Sequence, residues 1–175
     1  MKAIKNFEEW CKVSFFGGDA FPNLWINMGS GSLAAYMGSK VVFQSGTIWF
    51  KPVGNWSKLK EMSFHKDNEW WKLTKQFTEL ACNYGSGKFL VGVADLGGIC
   101  DTIAMLRGVK NFIMDLYRRP EDVKELGKKL LKIWFICYDE LCNIIQSNMY
   151  GITTWMDIWC HKRWYPIQDD VAFYM

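Results

Sequence analysis

The sequence lacks the long apolar run and the basic stripe that mark two broad classes of protein. No uninterrupted apolar stretch approaches the roughly 18 residues of a membrane-spanning helix. Lys and Arg together number 21 and Asp and Glu number 18, and the two signs are interspersed along the chain. Without a concentrated positive face there is no electrostatic footprint for nucleic acid. We therefore expect neither a membrane nor a nucleic acid as a partner.

Several catalytic and targeting signatures are also missing. No P-loop, GxSxG or HExxH motif occurs, and no GxGxxG follows the first strand. The six cysteines form no CxxC pair, and Glu8 and Glu9 lie where a signal peptide needs apolar residues. The simplest interpretation is a cytoplasmic protein with reduced thiols.

What the chain does have is apolar and aromatic character. Half of its 175 residues are hydrophobic and ten are Trp, which is too apolar for a disordered chain. Trp favours pocket walls and interfaces, because its large ring is buried while its indole N–H still needs a partner. The length predicts a single domain, with an irregular N-terminal portion over 1–66 and βα units over 67–175.

The spacing of apolar residues predicts both helices and strands. Helices, marked by apolar residues three and four apart, are predicted over 5–13, 33–37, 67–84, 99–106, 111–117 and 120–146. Strands are predicted over 23–28, 41–43, 47–50, 89–94, 151–159 and 163–168. The strand over 89–94 is continuously apolar, which is typical of a strand buried on both faces in a parallel sheet.

This order of elements predicts a partial (β/α)8 TIM barrel that stops before closure. Alternating strands and helices favour a parallel sheet, and a complete barrel usually needs about 250 residues. We expect 89–94 and 151–159 to lie side by side and parallel. Open sheet edges would favour self-association. An open doubly wound sheet also fits the length, but the long irregular N-terminal third suits it poorly.

Three acidic positions follow predicted strands and are candidate catalytic residues. In a barrel the chemistry lies at the carboxyl ends of the strands, which places Asp95, Asp157 and Asp169 there. Asp95 ends the most apolar strand, and Gly97 and Gly98 behind it would let a substrate approach the backbone closely. The alternative is that Asp95 caps the helix that follows it.

Other candidates concern substrate binding. Arg107 either pairs within the fold, or binds a loop carbonyl, or holds an anionic substrate with two hydrogen bonds. Trp155 and Trp164 are candidates for the aromatic walls of a substrate site. The neighbours Cys160 and His161 cannot supply the three or four ligands that zinc requires, so no metal site is predicted in this chain.

Four segments resemble the central stretch of uroporphyrinogen decarboxylase-family proteins, and two more resemble the next stretch of one branch of that family. The first four are Val91–Gly98, Asp101–Gly108, Met114–Tyr117 and Pro120–Val123, and the later two are Gly151–Trp155 and Arg163–Asp170. The resemblance implies a TIM barrel of about twice this length, of which this chain is the N-terminal half. It also implies a small-molecule substrate linked to a tetrapyrrole or a corrinoid.

The superfamily offers two reactions. One is porphyrinogen decarboxylation without a cofactor, and the other is methyl transfer between a corrinoid and a thiol with zinc, which would add a corrinoid protein as a partner. The arginine-rich signature of the decarboxylases is missing, and Gly29–Tyr36 stands in its place. The resemblance therefore favours methyl transfer, with decarboxylase activity as the alternative. A second alternative is a non-catalytic, truncated fragment that needs a partner chain.

Overall fold

The computed structural model describes residues 1–45 and 47–170, which form seven helices and four short strands. The helices are α1 Lys2–Val13, α2 Ser32–Tyr36, α3 Trp56–Glu61, α4 Glu69–Gly85, α5 Ile99–Arg107, α6 Val109–Arg118 and α7 Pro120–Asn148. The strands are β1 Asn23–Trp25, β2 Lys40–Gln44, β3 Thr47–Lys51 and β4 Leu90–Gly92. The predicted turn over 44–46 includes Gly46, which lies outside the described residues.

Two of the helices begin at an Asn side chain that accepts hydrogen bonds from N–H groups of the first turn. The Asn68 side chain accepts hydrogen bonds from the N–H groups of Trp70 at 2.9 Å and Trp71 at 3.0 Å, so Asn68, and not the expected Asp67, caps α4. In α7, Pro120 occupies the first position, and acidic side chains occupy the first turn. Helix α3, whose cap is Asn55, was not predicted.

The four strands form two separate pairs. β1 and β4 are parallel, with Trp25 opposite Gly92. β2 and β3 are antiparallel, with Val42 opposite Trp49. A single parallel bridge joins Gly92 to Thr153, where the Val93 N–H donates to the Thr153 carbonyl at 2.9 Å. The predicted parallel neighbours therefore meet, but only at this one position.

The predicted partial barrel is wrong. The described residues are mostly helical, and their two sheets contain two strands each, with no barrel-like arrangement of strands. The predicted strands over 151–159 and 163–168 do not form. The first contains a tight turn at Thr154–Asp157, and beyond it Cys160 pairs back antiparallel to Ile152. The second contains Pro166, which has no N–H to donate to a ladder.

Side chains take the place of ladder bonds in this last part of the chain. The Trp159 indole N–H donates to the Tyr150 carbonyl at 3.0 Å. The Trp164 indole N–H donates to the Ile152 carbonyl at 3.1 Å. The prediction treated apolar, Trp-rich runs as strands. It failed because β propensity reflects how side chains pack against their surroundings and not an intrinsic backbone preference, so the same residues can be buried in a turn.

The chain divides into two compact units. Unit 1 consists of Met1–Asn27, Leu73–Ala94 and Tyr138–Pro166. Unit 2 consists of Met28–Lys72, Asp95–Cys137 and, of the described residues, 167–170. Unit 1 buries Val91, Val93 and Leu141, whereas unit 2 buries Leu106 and Leu130. Two helices, α4 and α7, cross from one unit into the other.

No helix within the described ranges is both long enough and apolar enough to cross a membrane.

Candidate functional site

The candidate site of unit 1 is the tight turn from Thr154 to Asp157. The Asp157 N–H donates to the Thr154 carbonyl at 3.2 Å, and the Thr154 hydroxyl accepts from the Met156 N–H at 3.3 Å. Asp157 has a φ of +53°, in the left-handed region that non-glycine residues seldom adopt. Asp is among the residues that tolerate this region best. The turn therefore presents an exposed carboxylate from an unusual backbone conformation.

Asn23, at the start of β1, ties this turn to the parallel strands. Its side-chain nitrogen donates to the Thr154 carbonyl at 2.8 Å and to Asp157 Oδ1 at 2.6 Å. Both amide hydrogens are thereby used, which fixes the orientation of the amide group. Asn23 was not predicted as a site residue. Since 134 positions separate it from Asp157, no local pattern could have found it.

Gly92 in β4 allows this close packing. A Cβ atom at Gly92 would lie 2.8 Å from the Trp25 Cβ, 3.1 Å from Asn23 Oδ1 and 3.2 Å from the Thr154 carbonyl oxygen. The first of these distances is shorter than real side chains tolerate, and the atom involved is at the rigid base of Trp25. Glycine is therefore required where the turn approaches the strand.

Three buried polar atoms around this turn have no hydrogen-bond partner within residues 1–45 and 47–170. They are Asn23 Oδ1, Thr153 Oγ1 and Trp155 Nε1. Thr153 is 2 % exposed. Leaving a buried polar group unpaired costs about 1–3 kcal/mol, so such groups are rare in folded proteins.

Trp164, the other predicted aromatic wall, is held within unit 1. Its indole N–H is bonded to the Ile152 carbonyl, and its own carbonyl accepts the Tyr138 hydroxyl at 2.8 Å. Burial is the main reason why the pKa of Tyr138 is raised well above its ordinary value, so the phenol stays neutral and remains a donor. Trp164 therefore holds the last segment of unit 1 in place.

In unit 2, Asp95 shapes the loop before α5. Its Oδ1 accepts the N–H of Gly97 at 2.8 Å, and its carbonyl accepts the hydroxyl of Ser32. Gly97 has a φ of +71°, and the Ser30 carbonyl lies where a Cβ at Gly97 would be. A substrate was predicted to approach the backbone at Gly97. In the structure the Ser30 carbonyl of the protein itself lies against Gly97 instead.

Asp169 caps α5 from a distant part of the sequence. Its Oδ1 accepts the N–H of Asp101 at 3.1 Å, and Asp101 Oδ2 accepts the N–H of Asp170 at 2.9 Å. A Cβ at Gly98 would overlap the Asp169 carboxylate. The reciprocal pair attaches the segment around Asp169 to the first turn of α5, where the helix dipole favours negative charge.

This arrangement brings acidic groups together around Asp101. Burial is the main reason why the pKa of Asp101 is raised, and the negative charges of Asp169, Asp170 and Asp95 raise it further. The hydrogen bond from the Asp170 N–H acts in the opposite direction. The ionised form of Asp101 is therefore less favourable in the folded protein than in the unfolded chain.

We expect Asp101→Asn to stabilise the protein relative to the wild type, and this gain in stability should be larger at neutral pH than at low pH. With a raised folded pKa, the wild-type carboxyl loses stability as the pH rises from its ordinary pKa through the folded value. The Asn oxygen still accepts the Asp170 N–H but carries no charge. Thermal midpoints at pH 3, 5 and 7 check this, and an equal difference at all three values would contradict it.

Arg107 lies in a buried polar cluster of unit 2. Its Nε donates to Asp115 Oδ2 at 2.6 Å, and its Nη1 donates to the Gly54 carbonyl at 2.8 Å. The Trp56 indole N–H donates to the same Asp115 oxygen at 3.0 Å. The guanidinium therefore makes both contacts that were expected for a structural role of Arg107, namely an ion pair with an acidic side chain and a hydrogen bond to a loop carbonyl.

The predicted site residues are divided between the two units. Trp155, Asp157 and Trp164 belong to unit 1, whereas Asp95, Gly97, Gly98, Arg107 and Asp169 belong to unit 2. Within the described part of the chain, no group of three or more His, Cys, Asp or Glu side chains has the geometry of a metal site.

Comparison with known proteins finds no matching family model, no matching curated protein and no matching solved structure.

Proposed function

We propose that this chain carries the substrate-binding site of an enzyme of the uroporphyrinogen decarboxylase type, acting on a tetrapyrrole- or corrinoid-linked molecule. Methyl transfer is favoured over decarboxylation. The segment that stands in place of the decarboxylases' arginine-rich signature contains α2, whose five residues are all buried and uncharged. It offers no cation for a substrate carboxylate. No step through zinc is assigned to these residues.

One observation carries the proposal, namely the exposed Asp157 carboxylate held in place beside the half-buried Trp155. Asn23 binds one carboxylate oxygen, and the carboxylate remains open to solvent, where it accepts hydrogen bonds from N–H groups such as those of a pyrrole. The Trp155 ring supplies a flat apolar surface against which a planar ring system packs. Three segments fix the turn, which reduces the cost of ordering it on binding.

Ligand titration tests this proposal. We expect a free-base porphyrin with uncharged hydroxyl side chains, or hydroxocobalamin, to quench tryptophan fluorescence saturably. Asp157→Asn keeps the size of the side chain and an acceptor for Asn23 but removes the charge, and we expect it to weaken binding about tenfold. Asp139→Asn is the matched control, because Asp139 is also an exposed acid of unit 1 and its partner is Arg163.

If neither ring compound binds, or if the Asp157 and Asp139 variants bind equally, the proposal is wrong.

A second candidate function is association with another protein chain. Large apolar side chains of unit 1 are exposed, including Phe15 at 95 %, Val13 at 84 % and Tyr150 at 78 %. Val13 and Phe15 are two residues apart, and neighbouring exposed apolar groups favour a partner surface. Light scattering with size-exclusion chromatography tests this candidate, and a monomer at high protein concentration would show that the chain does not self-associate.

We place the protein in the cytoplasm, a location that its six free thiols support.

A further inference from the structure

The three unpaired atoms of the Asn23 turn differ in what they offer a ligand. Asn23 Oδ1 is an acceptor, since the amide hydrogens are already used by Thr154 and Asp157. The indole Nε1 of Trp155 is a donor only, whereas the Thr153 hydroxyl both donates and accepts. A single partner that satisfied all three atoms would carry both kinds of group.

The residues that carry these atoms adjoin Gly92. Thr153 is the bridge partner of Gly92, and Trp25 is its partner on the other side. Paired residues of neighbouring strands project to the same face, and residues two apart along a strand share that face. Asn23 therefore lies on the face of Thr153, with its Oδ1 only 3.1 Å from the Cβ position of Gly92. Trp155 follows Thr153 by two residues, in the turn over the same glycine.

We propose that this cluster binds a neutral group that both donates and accepts hydrogen bonds, such as the primary carboxamide or the hydroxyl of a small molecule. A carboxylate would be repelled by Asn23 Oδ1 and by the nearby Asp157 carboxylate. An ammonium group would leave the Trp155 N–H without an acceptor. The inference names the substrate group that this turn recognises, and it rests on the proposed function only in treating the turn as the substrate site.

Removing the Thr153 hydroxyl should have two opposite effects: it should stabilise the free protein and weaken ligand binding. Valine has the shape of threonine without the hydroxyl, so Thr153→Val removes a buried unpaired group without leaving a cavity. We expect the thermal midpoint of the free protein to rise by about 2–4 °C. The same change should weaken ligand binding by at least about tenfold, because the site loses a hydrogen-bonding group.

Acetamide is the probe for the bound state. In a nitrogen-15 spectrum of the full chain, the indole resonance of Trp155 is identified by its loss in Trp155→Phe. We expect acetamide to shift this resonance saturably in the wild type and much less in Thr153→Val. The Trp164 indole is the internal control, since it already donates to the Ile152 carbonyl and should not move. Sodium acetate and methylammonium chloride at equal concentration should leave the Trp155 resonance in place.

Thr78→Val is the matched control variant. Thr78 is also buried in unit 1, but its hydroxyl donates to the Thr74 carbonyl at 2.8 Å. We expect this variant to keep the acetamide response and to gain no stability. The proposal is overturned if acetate shifts Trp155 as strongly as acetamide, if no probe shifts it, or if Thr153→Val is destabilised or unfolded.

The two proposals fail separately. Acetamide binding without porphyrin or cobalamin binding would leave this polar site in place and remove the proposed function. If a ring compound binds and neither Thr153→Val nor Trp155→Phe affects its binding, the proposed function stands and the polar site is wrong.

Discussion

Replacing Asp115 with alanine is expected to lower the free energy of unfolding by about 3–5 kcal/mol. Asp115 is 4 % exposed, and one of its oxygens accepts hydrogen bonds from both Arg107 and Trp56. Alanine would leave the Arg107 charge largely buried without its acidic partner and the Trp56 indole N–H without an acceptor. Denaturation by guanidinium chloride, followed by tryptophan fluorescence, measures the loss.

Two further variants separate this effect from a general effect of charge. Glu121→Ala breaks the exposed pair with Lys124 and should change stability little, because solvent screens such pairs. Adding Arg107→Met to Asp115→Ala should cost less than the sum of the two single changes, since the residues share one interaction. Strict additivity would show that the pair is not coupled. If Arg107→Met lost ligand binding but kept its stability, that result would instead support a role of Arg107 in substrate binding.

Replacing Gly97 with alanine is expected to cost about 3–5 kcal/mol, the second large effect. Two penalties combine here, the left-handed backbone and the overlap of the new methyl group with the Ser30 carbonyl. Gly87 has nearly the same φ, +74° against +71°, but no atom within 4 Å of its Cβ position. Gly87→Ala should therefore cost only about 1–2 kcal/mol, from the backbone alone. Chemical denaturation of both variants gives the difference, and equal losses would mean that Ser30 moves away freely.

The helices were predictable because their signals are local. The apolar stripe predicted a helix over 120–146, and α7 spans Pro120–Asn148. The expected helix over 99–106 matches α5, Ile99–Arg107, with Gly108 after it. Spacing, capping and breaking residues all lie within a few positions of the element that they define, so a single sequence contains them. The missed helix α3 is only six residues long, too short for a repeated stripe.

The strands and the site were less predictable, for a different reason. Pairing joins residues far apart in the sequence, and a run such as Gly151–Trp159 is apolar whether it forms a strand or a turn. The left-handed conformation of Asp157 depends on Asn23, and the cap on α5 depends on Asp169. The sequence identified Asp95, Asp157 and Asp169 as notable acids after apolar runs, but it could not show that each carboxylate accepts a hydrogen bond from the protein itself.

The interleaved order of the two units has a consequence for synthesis of the protein. Unit 1 needs its last segment, Tyr138–Pro166, and unit 2 includes residues beyond that. A nascent chain that has emerged only as far as α5 holds pieces of both units and a finished version of neither. Because domains normally fold one after another as they leave the ribosome, this chain is expected to delay stable folding until Tyr138–Pro166 has emerged. Stalled nascent chains of increasing length should gain protease resistance in one late step.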